Sequence, residues 1–210
     1  MLRKLALLVP VLVLAGCGAT RPGAAAIVDG EEISQSSADE TAQVFCRINL
    51  LSAQQQGVKE LSNAEVRREA IRQMVLGVAA DRVAERDDLS IPSSLMTLSP
   101  TDRKQATRVV NDLDSDTVVR VLEESQRLYA IVTALGEREL GVTASAQNEQ
   151  QVQQAGRAVV EQELKKLTVR YAPRYGLDAD GTQEARTGSL STTIESADTS
   201  KRLPDTQRCA

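Results

Sequence analysis

From Val118 to Leu135 the chain carries the broadest apolar face it has. Val118, Leu122, Tyr129, Val132 and Leu135 recur at helical spacing, with Val121, Leu128 and Ile131 beside them. Such a face predicts a long helix at the centre of a helical core. Gly141 ends the pattern, and Thr143 or Ser145 restarts a polar helix whose apolar side is Val152, Ala155, Val159, Val160, Leu164 and Leu167. Upstream, Ser37 with Glu40 fits a capping box, followed by Ala38, Ala42, Phe45, Ile48 and Leu51 until Gly57. Ser62 with Glu65 repeats it ahead of Val66, Ala70, Met74, Val75, Val78 and Val83. Ile91-Pro92 breaks that second helix. Ser99 as cap and Pro100 at the first helical position start a short one running to about Asn111. The arginines among these stripes, such as Arg67, Arg68, Arg72, Arg82 and Arg86, read as solvated faces over a packed one.

The fold class expected is therefore mainly α, about five amphipathic helices, with one small β element. In Ala24-Ala25-Ala26-Ile27-Val28-Asp29-Gly30-Glu31-Glu32-Ile33-Ser34, the Asp-Gly pair supplies the positive φ angles of a two-residue hairpin turn. A lone hairpin is marginal and needs helices or a further strand to lean on. After Thr168 the composition changes. Pro173-Arg174-Tyr175-Gly176 and 178–181 form turns, and Leu190, Thr192 and Ile194 alternate as a strand would, which makes them the candidate C-terminal partner of the hairpin.

The first residues carry an address. Arg3 and Lys4 precede an apolar run from Leu5 to Leu14, and Leu14-Ala15-Gly16-Cys17 closes it as a bacterial lipobox. The run is too short for a mature transmembrane helix. A buried helix or a cleaved, non-lipid signal is the plainer alternative. On the lipobox reading, residues 1–16 are a signal peptide and Cys17 carries a palmitate-type lipid anchor. Residues 17–24 are then a lipidated tether rich in Gly and Ala. The expected location is the extracytoplasmic face of the cell membrane. Lipidation of Cys17 also leaves an even number of cysteines, Cys46 and Cys209. In an oxidising compartment they read as a disulfide, and two unpaired thiols are the alternative. Residues 25–167 form the helical domain and 168–210 an extended segment packing back on it.

Composition removes several classes of chemistry. Without residues 1–16 the chain holds 23 basic against 29 acidic side chains, net −6, and only Phe45, Tyr129, Tyr171 and Tyr175 are aromatic. Neither phosphate neutralisation nor base stacking has a source, so nucleic acid is not an expected partner. There is no histidine, which removes the usual general base, Ser-His-Asp catalysis and most zinc sites. No catalytic residue, cofactor or metal is expected. The one pattern with a metal spacing is Asp112, Asp114, Asp116 and Glu123, at positions 1, 3, 5 and 12 of a calcium loop. Thr117 stands where that loop needs glycine, and Arg120 brings positive charge to the ninth position. The acids read instead as the start of the central helix, capped by Ser115 or Asp116 and opposing its dipole.

The order of lipobox, small tether, the hairpin Ala26-Ile27-Val28-Asp29-Gly30-Glu31-Glu32-Ile33-Ser34, the helix with Phe45 and Cys46, and the helix over 62–87 resembles the N-terminal domain of SurA-type chaperones and related foldase lipoproteins. The resemblance covers most of 24–140. Pro173-Arg174-Tyr175-Gly176 and Leu203-Pro204 through Cys209 look like the tail of small exported lipoproteins carrying this domain alone. The resemblance implies a chaperone-like, non-catalytic role in binding exported polypeptides. Full-length members add a parvulin prolyl isomerase domain. One helix and a polar tail after Leu140 cannot supply it, so isomerase activity is not carried over. A structural or adaptor lipoprotein holding one folded envelope partner is the alternative expectation.

Overall fold

The computed structural model describes residues 21–57, 60–183 and 208–209. Residues 1–16, Cys17 and the candidate strand at Leu190, Thr192 and Ile194 lie outside them. Among the described residues the chain runs β1 (Ala24–Val28), β2 (Glu31–Ser34), α1 (Gln35–Gln55), β3 (Leu61–Ser62), α2 (Asn63–Arg86), α3 (Pro100–Val109), α4 (Ser115–Leu140), α5 (Glu149–Leu164), β4 (Val169–Tyr171) and β5 (Arg208–Cys209). The protein is mainly helical, with a small antiparallel sheet, as the apolar stripes predict.

The hairpin forms through Asp29 and Gly30, at φ 49° and 90°. Its first strand is the middle of a three-stranded sheet ordered β2-β1-β4, and every residue of β1 is buried. Ala24, assigned to the tether from sequence, is the first residue of that strand. The third strand is β4, with Ala26 opposite Tyr171 and Val28 opposite Val169. Three residues following directly on α5 are enough, because Asp29 fastens the corner. Its amide donates to the Thr168 carbonyl (2.9 Å), and its carboxylate accepts from the Thr168 amide (2.8 Å) and from Arg82 (2.9 Å).

Helix starts differ from expectation by a few residues, each for a local reason. Ser34, still extended at the end of β2, caps α1 by accepting from the Ser37 amide, so the helix begins before Ser37. Asp114 caps α4 ahead of Ser115, accepting from the Thr117 amide (2.8 Å). Asn148 is the cap position of α5, and its side-chain oxygen is taken by the Ser145 amide (2.7 Å), which holds 145–148 as a turn outside the helix. Ser99 and Pro100 start α3 as expected.

The interior is built around α2 and α4. Ile71 and Val75 pack under the sheet with Ala25, Val28 and Val169. Ala79, Ala80 and Val83 meet Ile131, Leu135 and Val160 in a second cluster. Val44 of α1 joins Val118 and Val121 of α4, with Val110 closing that end. The antiparallel pair α4–α5 comes together at two glycines. A Cβ on Gly136 would fall 1.9 Å from the Val152 carbonyl oxygen, and one on Gly156 would fall 1.8 Å from that of Val132. Backbone therefore touches backbone, a contact no larger residue allows.

At the opposite corner, β3 and β5 pair over two residues each, Leu61 opposite Cys209 and Ser62 opposite Arg208. Cys209 is bonded to Cys46 of α1 across 163 residues of sequence, with Cα atoms 5.5 Å apart. Both half-cystines are buried beside Val66. A two-residue ladder is weak by itself, and the covalent link and the Arg208–Glu60 ion pair (3.0 Å) add to it.

Candidate functional site

Between α2, α4 and α5 lies a hollow of about 900 Å³, bounded at one end by Tyr171 and the turn 179–181. The α4–α5 seam shapes it. Because Gly136 and Gly156 draw the two helices together, α5 descends against α4 and turns a second face toward α2. Leu76, Leu128 and Val132 form an apolar floor, with Leu164 and Leu167 at the β4 end. The walls carry amides, Gln73 from α2 and Gln150, Gln153 and Gln154 from α5, beside the charged Glu69, Arg72, Arg157, Glu161, Lys165 and Asp180. Residues 150, 153, 154 and 157 are neighbours on one helical face by their spacing. Gln153 is fixed in place by donating to the Thr133 hydroxyl.

The charged groups around the rim are largely answered within the protein. Arg157 pairs with Glu161 (3.0 Å) and Arg72 with Glu69 (3.2 Å). Arg72 also donates to the Gly181 carbonyl (2.8 Å), which fastens the end turn to α2. Tyr129, half exposed at the other end, donates to the Glu149 carboxylate, and that bond with partial burial raises its phenol pKa. Burial pushes the Tyr171 phenol up to about 12. Both phenols are neutral at physiological pH. The arrangement offers an apolar floor and amides that can both donate and accept hydrogen bonds.

The residues singled out from sequence are distributed elsewhere. Cys46 and Cys209 are brought together, as their parity suggests. Asp112, Asp114, Asp116 and Glu123 are not gathered into one site. Asp112 pairs with Arg47, Asp114 caps α4, and Glu123 accepts from the Leu98 amide (3.1 Å) and from Arg103 (2.5 Å). The Thr117 amide holds the Asp114 carboxyl below the ordinary aspartate value. Asp116, in the first turn of α4, has no part in a metal cluster, and no group of three potential ligands occurs among the described residues. No helix there is long and apolar enough to cross a membrane.

Sequence reasoning missed the groove, because its floor joins α2 to α4, about fifty residues apart in the chain, and α5 supplies a wall. The available signal was the amide-rich start of α5, Gln150-Gln151-Val152-Gln153-Gln154. Comparison of the chain with family models, with curated proteins and with solved structures gives no match.

Proposed function

We propose that this protein is a membrane-anchored extracytoplasmic lipoprotein that binds extended segments of exported polypeptides and performs no chemistry on them. The observation carrying this reading is the groove between α2, α4 and α5, with its apolar floor of Leu76, Leu128 and Val132 and its row of glutamines. Burial of apolar side chains on the floor supplies the attraction, and the amides satisfy the peptide groups taken out of water. The lipobox at Cys17 and the resemblance of 24–140 to SurA-type N-terminal domains support the location and the class of client.

The full-length protein should suppress aggregation of a reduced, alkylated model polypeptide at near-equimolar ratio. The double variant Gln150→Glu/Gln154→Glu places two carboxylates over the apolar floor. It should need about tenfold more protein for the same effect while keeping the wild-type melting curve, as exposed substitutions generally change stability by no more than about 0.5 kcal/mol. Equal suppression by both proteins would remove the groove from the account. No suppression by wild type would remove the reading itself.

A further inference from the structure

The folded protein takes hold of its chain closer to Cys17 than composition suggests. The Arg21 carbonyl accepts from the Ala24 amide (3.0 Å), and the Gly23 carbonyl accepts from the Gln35 amide at the start of α1 (2.7 Å). Residues 21–24, assigned to the tether from their Gly and Ala content, are therefore fixed to the sheet and to α1. With a lipid on Cys17, only residues 18–20 are left as tether. Four Cα steps cover no more than about 14 Å. The corner from which the chain leaves is held within that distance of the lipid-bearing residue.

That corner carries positive charge with no carboxylate set against it. Arg21 is exposed and makes no ion pair among the described residues. Arg174, also exposed, is held at the same place by neutral groups. It donates to the Gln35 side-chain oxygen (2.9 Å), Gln35 in turn donates to the Ala24 carbonyl (3.3 Å), and the guanidinium lies 5.9 Å from the Tyr175 ring centroid. The first turn of α1 holds no acid, and the acids that follow are answered, Asp39 by Arg67 (3.6 Å) and Glu40 by Arg120 (2.5 Å). Elsewhere Arg47, Arg82, Arg86, Arg127 and Arg138 are all paired with carboxylates. We infer that this corner sits against anionic phospholipid headgroups, with Arg21 and Arg174 on their phosphates, so that the anchor sets the orientation of the domain as well as its location. Charges are screened over about 8 Å at physiological salt, which is within the reach of the tether. The far end of α1 at Gln55 lies about 30 Å along the helix. The inference rests on the lipid anchor of the reading above and not on its groove.

The test reconstitutes the full lipidated chain in phosphatidylcholine vesicles, with and without phosphatidylglycerol. A fluorophore at Ser36→Cys or at Gln55→Cys, both exposed positions, is quenched by lipids spin-labelled in the headgroup. Quenching at 36 should exceed that at 55 by about threefold or more, the two ends of α1 being several screening lengths apart, and should rise further with phosphatidylglycerol. Each cation against such a surface is worth about fivefold in occupancy. Arg21→Gln/Arg174→Gln should therefore abolish the rise without changing the melting curve, and Arg21→Lys/Arg174→Lys should keep it. Equal quenching at the two positions, no rise with phosphatidylglycerol, or a rise that survives in the glutamine variant would each overturn the inference. A mass measurement showing Cys17 without acyl chains would remove the anchor reading and this inference with it, whereas a lipidated chain without the rise removes the inference alone.

Discussion

The α4–α5 seam and the β3–β5 corner close the same fold by opposite means. Along the seam, two helices of 26 and 16 residues meet through Gly136 and Gly156, and the contact continues over several turns into the cluster around Ile131, Leu135 and Val160. At the corner, two strands of two residues each are held by the bond between Cys46 and Cys209, with the Arg208–Glu60 ion pair (3.0 Å) beside it. Where the elements are long, shape alone can fix their approach. Where they are short, a covalent link that restricts the unfolded state adds to the few local contacts. The groove inherits its geometry from the seam, and the corner contributes none of its floor.

Breaking the corner should have the largest effect on stability. Loop-closure entropy for a link spanning 163 residues amounts to about 5 kcal/mol. Cys209→Ser should therefore lower the urea midpoint steeply while polypeptide binding, measured under conditions where the variant remains folded, is retained. Loss of binding in the folded variant would mean that the two regions are not independent.

Breaking the seam should cost somewhat less stability but more function. Gly156→Ala puts a methyl group into the Val132 carbonyl and forces the helices apart, at about 3 kcal/mol, the upper part of the range for overpacking. Chemical denaturation reads the loss, and the aggregation assay should show groove binding falling with it. Gly77→Ala is the internal control. Its Cβ meets open space, so it should stabilise by about 0.5–1 kcal/mol through helix propensity. If both glycine variants behaved alike, close approach would not be what Gly156 provides.

The smallest effect expected is one of pH. Asp29 is held below its ordinary value of 3.8 by the Thr168 amide and by Arg82. Asp87 is held below 3.8 by Arg86 and Arg138, and Glu163 below 4.5 by Lys166 and Arg86. A depressed carboxylate binds its proton more readily unfolded than folded. This contribution is therefore present above those ordinary values and is lost as pH falls through the lower, folded ones. Denaturation midpoints should be flat in pH above about 5 and decline below 4, and Asp29→Asn should shallow the decline. An unchanged slope in that variant would show that the hairpin corner is not what the acid releases.

The helices were legible because burial writes itself into periodicity. Most residues of the stripes through Val75 and Val83 and through Val118 to Leu135 are in fact buried, but Tyr129, placed on the second stripe, is 47% exposed. The disulfide was legible from parity once Cys17 was set aside. Two things were not. Gly136 and Gly156 look in sequence like weak points in helices, and only the partner backbone explains them. Leu190, Thr192 and Ile194 alternate over a longer run and read as the hairpin's partner, but they lie outside the described residues. Val169–Tyr171 carries too few residues to announce itself, and its start is fixed through Thr168 by Asp29, 139 residues away in the chain. The groove belongs with these, since its floor is a property of helix approach, not of any one segment.

The most direct test of the central claim places a photo-crosslinking residue at Gln154, on the wall of the groove, and compares it in cells with the same residue at Lys104 on the exposed face of α3. The account predicts adducts to many exported polypeptides from position 154 and few or none from 104. A single stoichiometric adduct from 154, or equal adducts from both positions, would contradict it.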